Sequence, residues 1–273
     1  MPMKLNEFCK HIIFSPNLRD KLTSVDVELN FDWDPQEIPG QPARHKKIVM
    51  SDKNLRFPRG HFHEVEKKAM ALHSFANHEL LATEIMAAVI LFFPHNSEEM
   101  KKLKVGIFHS LRDEQKHCDL YVRRLNELGF EFGDFPLNDF FWKYIDKMKT
   151  PQNYLSVMAL TFENANLDFA HFYYHLFKEL GDHKTASILK VVLDDEISHV
   201  RLGVTYLNRW RKEKDLWTYY NEHLPYPLSP ARAKGKFFIE EVRRKARLDD
   251  DFIQRLHKFD DDFSVTKRKE WKK

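Results

Sequence analysis

Apolar residues fall at helical spacing through four long stretches between residues 64 and 214, and turn-forming residues separate them. The first stretch runs from Glu64 to Phe93 and stops before Pro94, whose ring disfavours a helical backbone in the residue ahead of it. From Leu80 onward it is apolar nearly all round, as expected of a helix enclosed on every side. Ser97 reads as the N-cap of a second helix, with Glu98 and Glu99 in the first turn where the helix dipole favours acids. That helix continues to Leu128 and stops at Gly129. A crossover from Phe130 to Thr150 holds a short amphipathic helix, Asp139 to Met148. Thr150 and Pro151 then supply a cap and a proline at the first helical position, opening a third helix that runs to Leu180 and closes at Gly181. Asp182 caps a fourth, which extends to Lys214. Helix, short turn, helix, long crossover, helix, short turn, helix is the connectivity of an all-α, ferritin-like four-helix bundle, predicted here over residues 64–214.

The flanks read differently. Residues 1–63 hold a short helix (Lys4 to Ile13) and then Pro35, Pro39, Gly40, Pro42 and Pro58, which break helix and strand alike. Between them Val25, Val27, Leu29, Phe31 and Trp33 alternate with Asp26, Glu28, Asn30 and Asp32. That period predicts a short strand, for which Lys47 to Met50 is the available partner. The segment is expected to wrap the bundle as an arm. Residues 215–273 carry Pro225, Pro227 and Pro230, a basic amphipathic helix from Ala231 to Arg247, and a last helix from Asp249 to Lys258. They are expected to cap one end of the bundle, or to form a lid near a substrate entrance.

At 273 residues and 42% hydrophobic, the chain can bury one large core. A formal charge of +3 is too small to imply nucleic acid, and only Lys267 to Lys273 is locally basic. Two cysteines, Cys9 and Cys118, make no disulfide framework. Cys118 is expected to be a small buried hydrophobe. No apolar leader is evident, and the longest apolar run, Ala87 to Phe93, is too short to span a bilayer. The expected location is cytoplasmic, with no membrane partner.

The candidate chemistry lies in two strings, DEQKH at 113–117 and DEISH at 195–199. Each gives a Glu followed three residues later by a His: Glu114 and His117, then Glu196 and His199. Residues three apart share a helix face, so one metal ion can take both side chains. Each string follows a helix with its own Glu. Glu79 precedes Glu114 by 35 residues, and Glu163 precedes Glu196 by 33. The first midpoint, 96.5, falls inside the predicted turn Pro94 to Ser97 and the second, 179.5, just before Gly181, so each pair lies at one level of its hairpin. Four carboxylates and two imidazoles are what a di-iron or di-manganese carboxylate site uses. Carboxylates bridge cations, and imidazoles add neutral donors that suit iron.

Glu84 and Asp168 compete for the role, five residues after Glu79 and Glu163. Five residues turn by about 140° net, so one helix cannot aim both of its acids at the same centre. Glu79 and Glu163 are favoured because their midpoints fit the turns. Glu84 and Asp168 are expected to hydrogen-bond within the bundle or to cap a helix crossing. Asp113 and Asp195 are candidates to accept the second N–H of a metal-bound His, with surface charge as the alternative. His73, His78 and Tyr121 are expected to be structural, while His171, His175 and His183 are expected to face solvent or the crossover.

At LHSFANHELLATEI (72–85), LRDEQKHCDLYVRRLNELG (111–129), FENANLD (162–168) and LDDEISHVRLGVTYLNRW (193–210) the chain resembles a ferritin-like family catalogued as domain of unknown function 455. Weaker similarity covers 39–60 and PYPLSPARAKGKFF (225–238). The resemblance implies Glu79, Glu114, His117, Glu163, Glu196 and His199 as the metal set, in agreement with the spacing. In FENANLD the basic residue and Gly usual between the two acids are missing, which bears on the shape of the pocket. More distantly, the arrangement is similar to tRNA-hydroxylating di-iron enzymes and to rubrerythrins.

Three functions fit. The first is an oxidoreductase in which two metal ions, iron first and manganese second, activate O₂ or peroxide to oxidise or hydroxylate a small organic substrate, supplied by an electron donor. The second is a tRNA-modifying hydroxylase using the basic stretch Arg232 to Arg247, against which the near-neutral charge argues. The third is a non-catalytic protein whose metals tie helices together. A dimer is compatible with each.

Overall fold

A computed structural model describes residues 2–31, 39–51 and 57–260. Among the described residues the protein is all-α apart from one two-stranded pairing and one isolated bridge, and it divides into two compact units, Met1–Ile145 and Asp146–Lys273.

In the first unit, strand β1 (Met3–Lys4) leads into α1 (Leu5–Phe14), α2 (Leu18–Leu22) and strand β2 (Val27–Glu28), followed by α3 (Val65–Phe92) and α4 (Glu98–Glu127). Helices α3 and α4 form the hairpin predicted from Pro94 and Ser97. The Ser97 hydroxyl accepts from Met100 N–H at 3.2 Å. Gly129 closes α4 with φ +84°, a conformation open to glycine at little cost. Helix α1 packs on α3 through Leu5, Phe8, Ile12 and Ile13, all buried. By length and composition α3 is apolar enough to cross a membrane, yet 83% of its most apolar window is buried inside the protein.

The predicted strand is much shorter than the alternation of Val25 to Trp33 implied. Among its described residues only Val27–Glu28 pairs, in parallel with Met3–Lys4, and the chain turns immediately where Asn30 N–H donates to the Glu28 carbonyl at 2.8 Å. Lys47 to Met50 is not its partner, for Met50 bridges to Leu137 instead. Asp32, Trp33 and Pro35 lie outside the described residues, as does the basic run Lys267 to Lys273. The crossover helix predicted over Asp139 to Met148 is a 3₁₀ helix, Trp142–Lys147.

In the second unit, α5 (Pro151–Val157) opens at the Thr150 cap, whose hydroxyl accepts from Asn153 N–H at 3.1 Å. The third helix was expected to run unbroken to Leu180. It is interrupted by a π-helical turn, Met158–Glu163, before continuing as α6 (Asn164–Glu179). Gly181 and Asp182 make the predicted turn into α7 (His183–Trp210), with the Asp182 carboxylate accepting from Thr185 N–H at 3.0 Å. Helix α7 stops four residues short of Lys214, because the chain turns at Lys212 with φ +55°. It is followed by α8 (Leu216–His223), a 3₁₀ turn (Pro230–Ala233), α9 (Glu240–Lys245) and α10 (Asp250–Lys258).

The basic helix predicted from Ala231 to Arg247 is therefore split. Gly235 and Ile239 both give their N–H groups to the Asp168 carboxylate, at 2.8 and 2.9 Å, and those bonds hold the chain between them out of a helix. A side chain at Gly235 would lie 2.8 Å from Asp168 Cβ, so glycine permits this close approach.

Candidate metal-binding half-sites

Each unit buries one carboxylate–imidazole group. In the first, Glu79 on α3 and Glu114 and His117 on α4 bring their ligand atoms within 4.8 Å of one another. His117 Nδ1 lies 3.5 Å from Glu114 Oε2, as the three-residue spacing requires. All three side chains are buried, and so is the helix face around them.

The second unit repeats the pattern. His199 Nδ1 on α7 lies 3.3 Å from Glu196 Oε2, and Glu163, at the end of the π turn, offers an oxygen within 4.8 Å of a ring nitrogen of His199. These three are also buried. Asn166, one turn beyond Glu163, donates its amide to Glu196 Oε1 at 2.7 Å and fixes the direction of that carboxylate. Its three-residue spacing from Glu163 is the signal that the sequence carries for this contact.

Charges of this kind are costly to bury without partners, so a buried group of carboxylates and imidazoles has to be offset by something positive. Glu84 and Asp168 have visible compensation. Glu84 takes Arg44 Nη2 at 2.6 Å and Lys21 Nζ at 3.0 Å, all three side chains being buried. Burial lowers the pKa of Lys21, and Glu84 opposes that shift. Asp168 takes both guanidinium nitrogens of Arg243, at 2.6 and 2.9 Å, besides the two backbone N–H groups. The two competing acids are thus committed to cations from the terminal segments. Arg44, Lys21 and Arg243 were invisible as partners because they lie 40, 63 and 75 residues away in sequence.

Asp113 is partly exposed and pairs with Lys116 at 3.0 Å, and Asp195 is also partly exposed. Cys118 is buried, donates to the Ala76 carbonyl at 3.3 Å, and has its thiol pKa raised, chiefly by burial. Tyr121 is a core residue against Phe75. His171 is half-buried and its ring lies 4.5 Å from that of the exposed His175, while His183 is exposed. A further group, His61, His63 and Glu64, is exposed in the turn before α3.

His73 is structural, and pH reports it. Its ring sits between Phe132 and Phe135, and Nε2 accepts from Gly133 N–H at 2.9 Å. Gly133, at φ +105°, approaches so closely that an added side chain would strike the Lys47 carbonyl at 2.4 Å. Burial pushes the imidazole down from 6.5 to about 4, and a proton on Nε2 would also displace the Gly133 bond. Between those values the unfolded chain binds a proton that the folded chain refuses. Stability from this group is therefore full above pH 6.5 and falls as pH drops towards 4, by about 3 kcal/mol in total. Urea titrations at pH 7.5 and 4.5 are expected to show His73→Gln losing less stability than the parent over that interval.

A profile of the family described as "Protein of unknown function (DUF455)" matches residues 9–254. An "Uncharacterized protein" from Haemophilus influenzae is similar at 26% identity over 180 residues, covering 63% of this chain. The chain spans about 60% of the length of that curated relative. No solved structure matches significantly. With all six candidate ligands inside the matched span, the chain belongs to the family described as Protein of unknown function (DUF455).

Proposed function

We propose that Glu79, Glu114, His117, Glu163, Glu196 and His199 together hold two metal ions in a ferritin-like four-helix bundle, and that the protein is a di-metal carboxylate oxidoreductase. One observation carries the reading: two buried groups of the same composition, each with a Glu and a His three residues apart on one helix and a second Glu on the preceding helix. The donor set fits the ions. It joins carboxylate oxygens with imidazole nitrogens, a mixture suited to iron or manganese, and the positive charge of two ions would offset four buried carboxylates.

When bound, such a pair activates O₂ or peroxide to oxidise or hydroxylate an organic substrate. The chain's own part is to hold the ligands and keep water away. Leu80, Ile107 and Leu111 in the first unit and Leu160 in the second are buried on the ligand-bearing segments and would help to exclude water from bound ions. Asn166 orients Glu196, and the commitment of Glu84 and Asp168 to arginines leaves the ligand role to Glu79 and Glu163. A small-molecule substrate and an external electron donor complete the scheme. The tRNA reading is not favoured, since within the basic stretch Arg243 is buried on Asp168, Arg244 pairs with Glu240 and Asp250, and Lys245 pairs with Glu241.

Anaerobic loading of the full chain with Fe²⁺ or Mn²⁺ is expected to give two ions per chain by elemental analysis, with anomalous signal at the matching absorption edge. His117→Ala and His199→Ala should each weaken binding by more than the roughly 10–100-fold that losing an outer hydrogen-bond partner costs. Uptake of one ion or fewer by the parent chain would end the di-metal reading. Two ions with oxygen consumption at background for every reductant would leave the helix-tying role in its place.

A further inference from the structure

The π turn Met158–Glu163 ends on a proposed ligand, and the surrounding side chains show what keeps it open. Asn164 N–H reaches the Ala159 carbonyl five residues back, one more than an α-helix allows. The Thr161 hydroxyl donates to the Ser156 carbonyl at 2.7 Å, also five residues back, whereas threonine in a regular helix bonds three or four back. That bond uses the only hydroxyl proton of Thr161. Tyr220 Oη, 2.8 Å away, is therefore the donor to Thr161. Ser156, Thr161 and Tyr220 are all fully buried, and Tyr220 is held on α8 by Trp217 and Phe252.

On the α7 side the widened turn presses against Gly203. A Cβ there would lie 2.5 Å from Ala159 Cβ and 2.6 Å from Leu160 Cδ1. Gly203 is four residues after His199, so the contact falls on the same face of α7 as the His199 and Glu196 pair. Beyond the turn, α6 is pinned by Asp168 to Arg243. Closing the π turn removes one residue from the spiral, a rotation of about 100° that has to be taken up between two fixed ends. Glu163 sits at the junction.

We propose that Thr161 and Tyr220, with Gly203 opposite, are positioning residues whose hydroxyl relay holds the π turn open and so aims the Glu163 carboxylate at the metal. The inference rests on the reading of Glu163 as a ligand. It accounts for two buried hydroxyls aligned on a backbone carbonyl, and for a glycine inside a 28-residue helix.

The test compares the parent chain with Thr161→Val, Thr161→Ser and Tyr220→Phe by crystal structures without metal and by Co²⁺ titration followed by visible absorption. Thr161→Val is expected to close or distort the turn, swing Glu163, weaken one of two Co²⁺ ions by roughly 10–100-fold and alter the absorption bands. Thr161→Ser should restore both the turn and the spectrum. Tyr220→Phe, which removes only the donor and keeps the ring packing, should move both readouts in the same direction by less, and it serves if Thr161→Val does not fold. An unmoved Glu163 in Thr161→Val overturns the proposal, and so does a closed turn with an unchanged titration. If the parent chain takes up no Co²⁺, the metal reading is what fails, and a turn that closes in Thr161→Val still supports the relay.

Discussion

Replacing Arg243 with Met is expected to lower the unfolding free energy by about 3–5 kcal/mol, the usual loss when one member of a buried ion pair is removed. The arginine has 0% side-chain exposure and Asp168 1%, so solvent cannot take over from the lost guanidinium. Its side chain also donates to the Asn164 and Ala233 carbonyls and lies over the Phe238 ring at 3.9 Å. The variant therefore leaves a buried carboxylate without its cation and takes a donor from three carbonyls, those of Asn164, Ala233 and Ile239. Urea denaturation measures the loss. Combining Arg243→Met with Asp168→Leu should recover part of it, because the double variant leaves no lone charge. Hydrogen exchange should place the loosening first in the segment from Gly235 to Ile239, whose N–H groups depend on Asp168. A penalty below about 1 kcal/mol would show that the pair does not anchor the segment.

The first unit supplies the second large effect, with an instructive asymmetry. Glu84→Gln should cost about 3–5 kcal/mol because it leaves Lys21 and Arg44 buried with nothing negative between them. Lys21→Met should cost much less, about 1–2 kcal/mol, since Glu84 and Arg44 remain a neutral pair and the main loss is the bond from Nζ to the Ile12 carbonyl. Arg44→Met belongs with the larger loss. It removes the stronger partner and also frees Asn77, whose side chain links Arg44 to the Asn138 carbonyl. The ranking Glu84→Gln above Lys21→Met is the sharp expectation, and thermal or urea unfolding of the three variants checks it. Equal losses would mean that Lys21, rather than Arg44, balances the carboxylate.

Much of this was legible in the sequence, and the reason is local. Pro94 with Ser97, Thr150 with Pro151, and Gly181 with Asp182 act on their own neighbours, and helix ends fell within a residue or two of the places they mark. The Glu-x-x-His spacing likewise needs nothing beyond one helix, and both Glu and His pairs lie as it requires. What was missed is decided from a distance. The π turn depends on a tyrosine 59 residues from Thr161. The supposed basic helix is opened by a carboxylate 67 residues before Gly235. The strand alternation from Val25 to Trp33 was real as a pattern, but a strand needs a neighbour, and only Met3–Lys4 meets its described part. Charged residues at Lys21 and Arg243 read as surface until the acids facing them are known.

The two buried ion networks also differ in the order in which a ribosome makes them. Lys21 and Arg44 are synthesised before Glu84, so the first hairpin meets its cations already present. Asp168 is made 75 residues before Arg243, and until those residues emerge its hairpin carries an unmatched acid at a site meant to be dry. The amino-terminal half is thus ready to fold as soon as its hairpin is made, whereas the second hairpin must wait until Arg243 has emerged. Nascent chains stalled before Arg243 has emerged would be the ones that chaperones and proteases recognise.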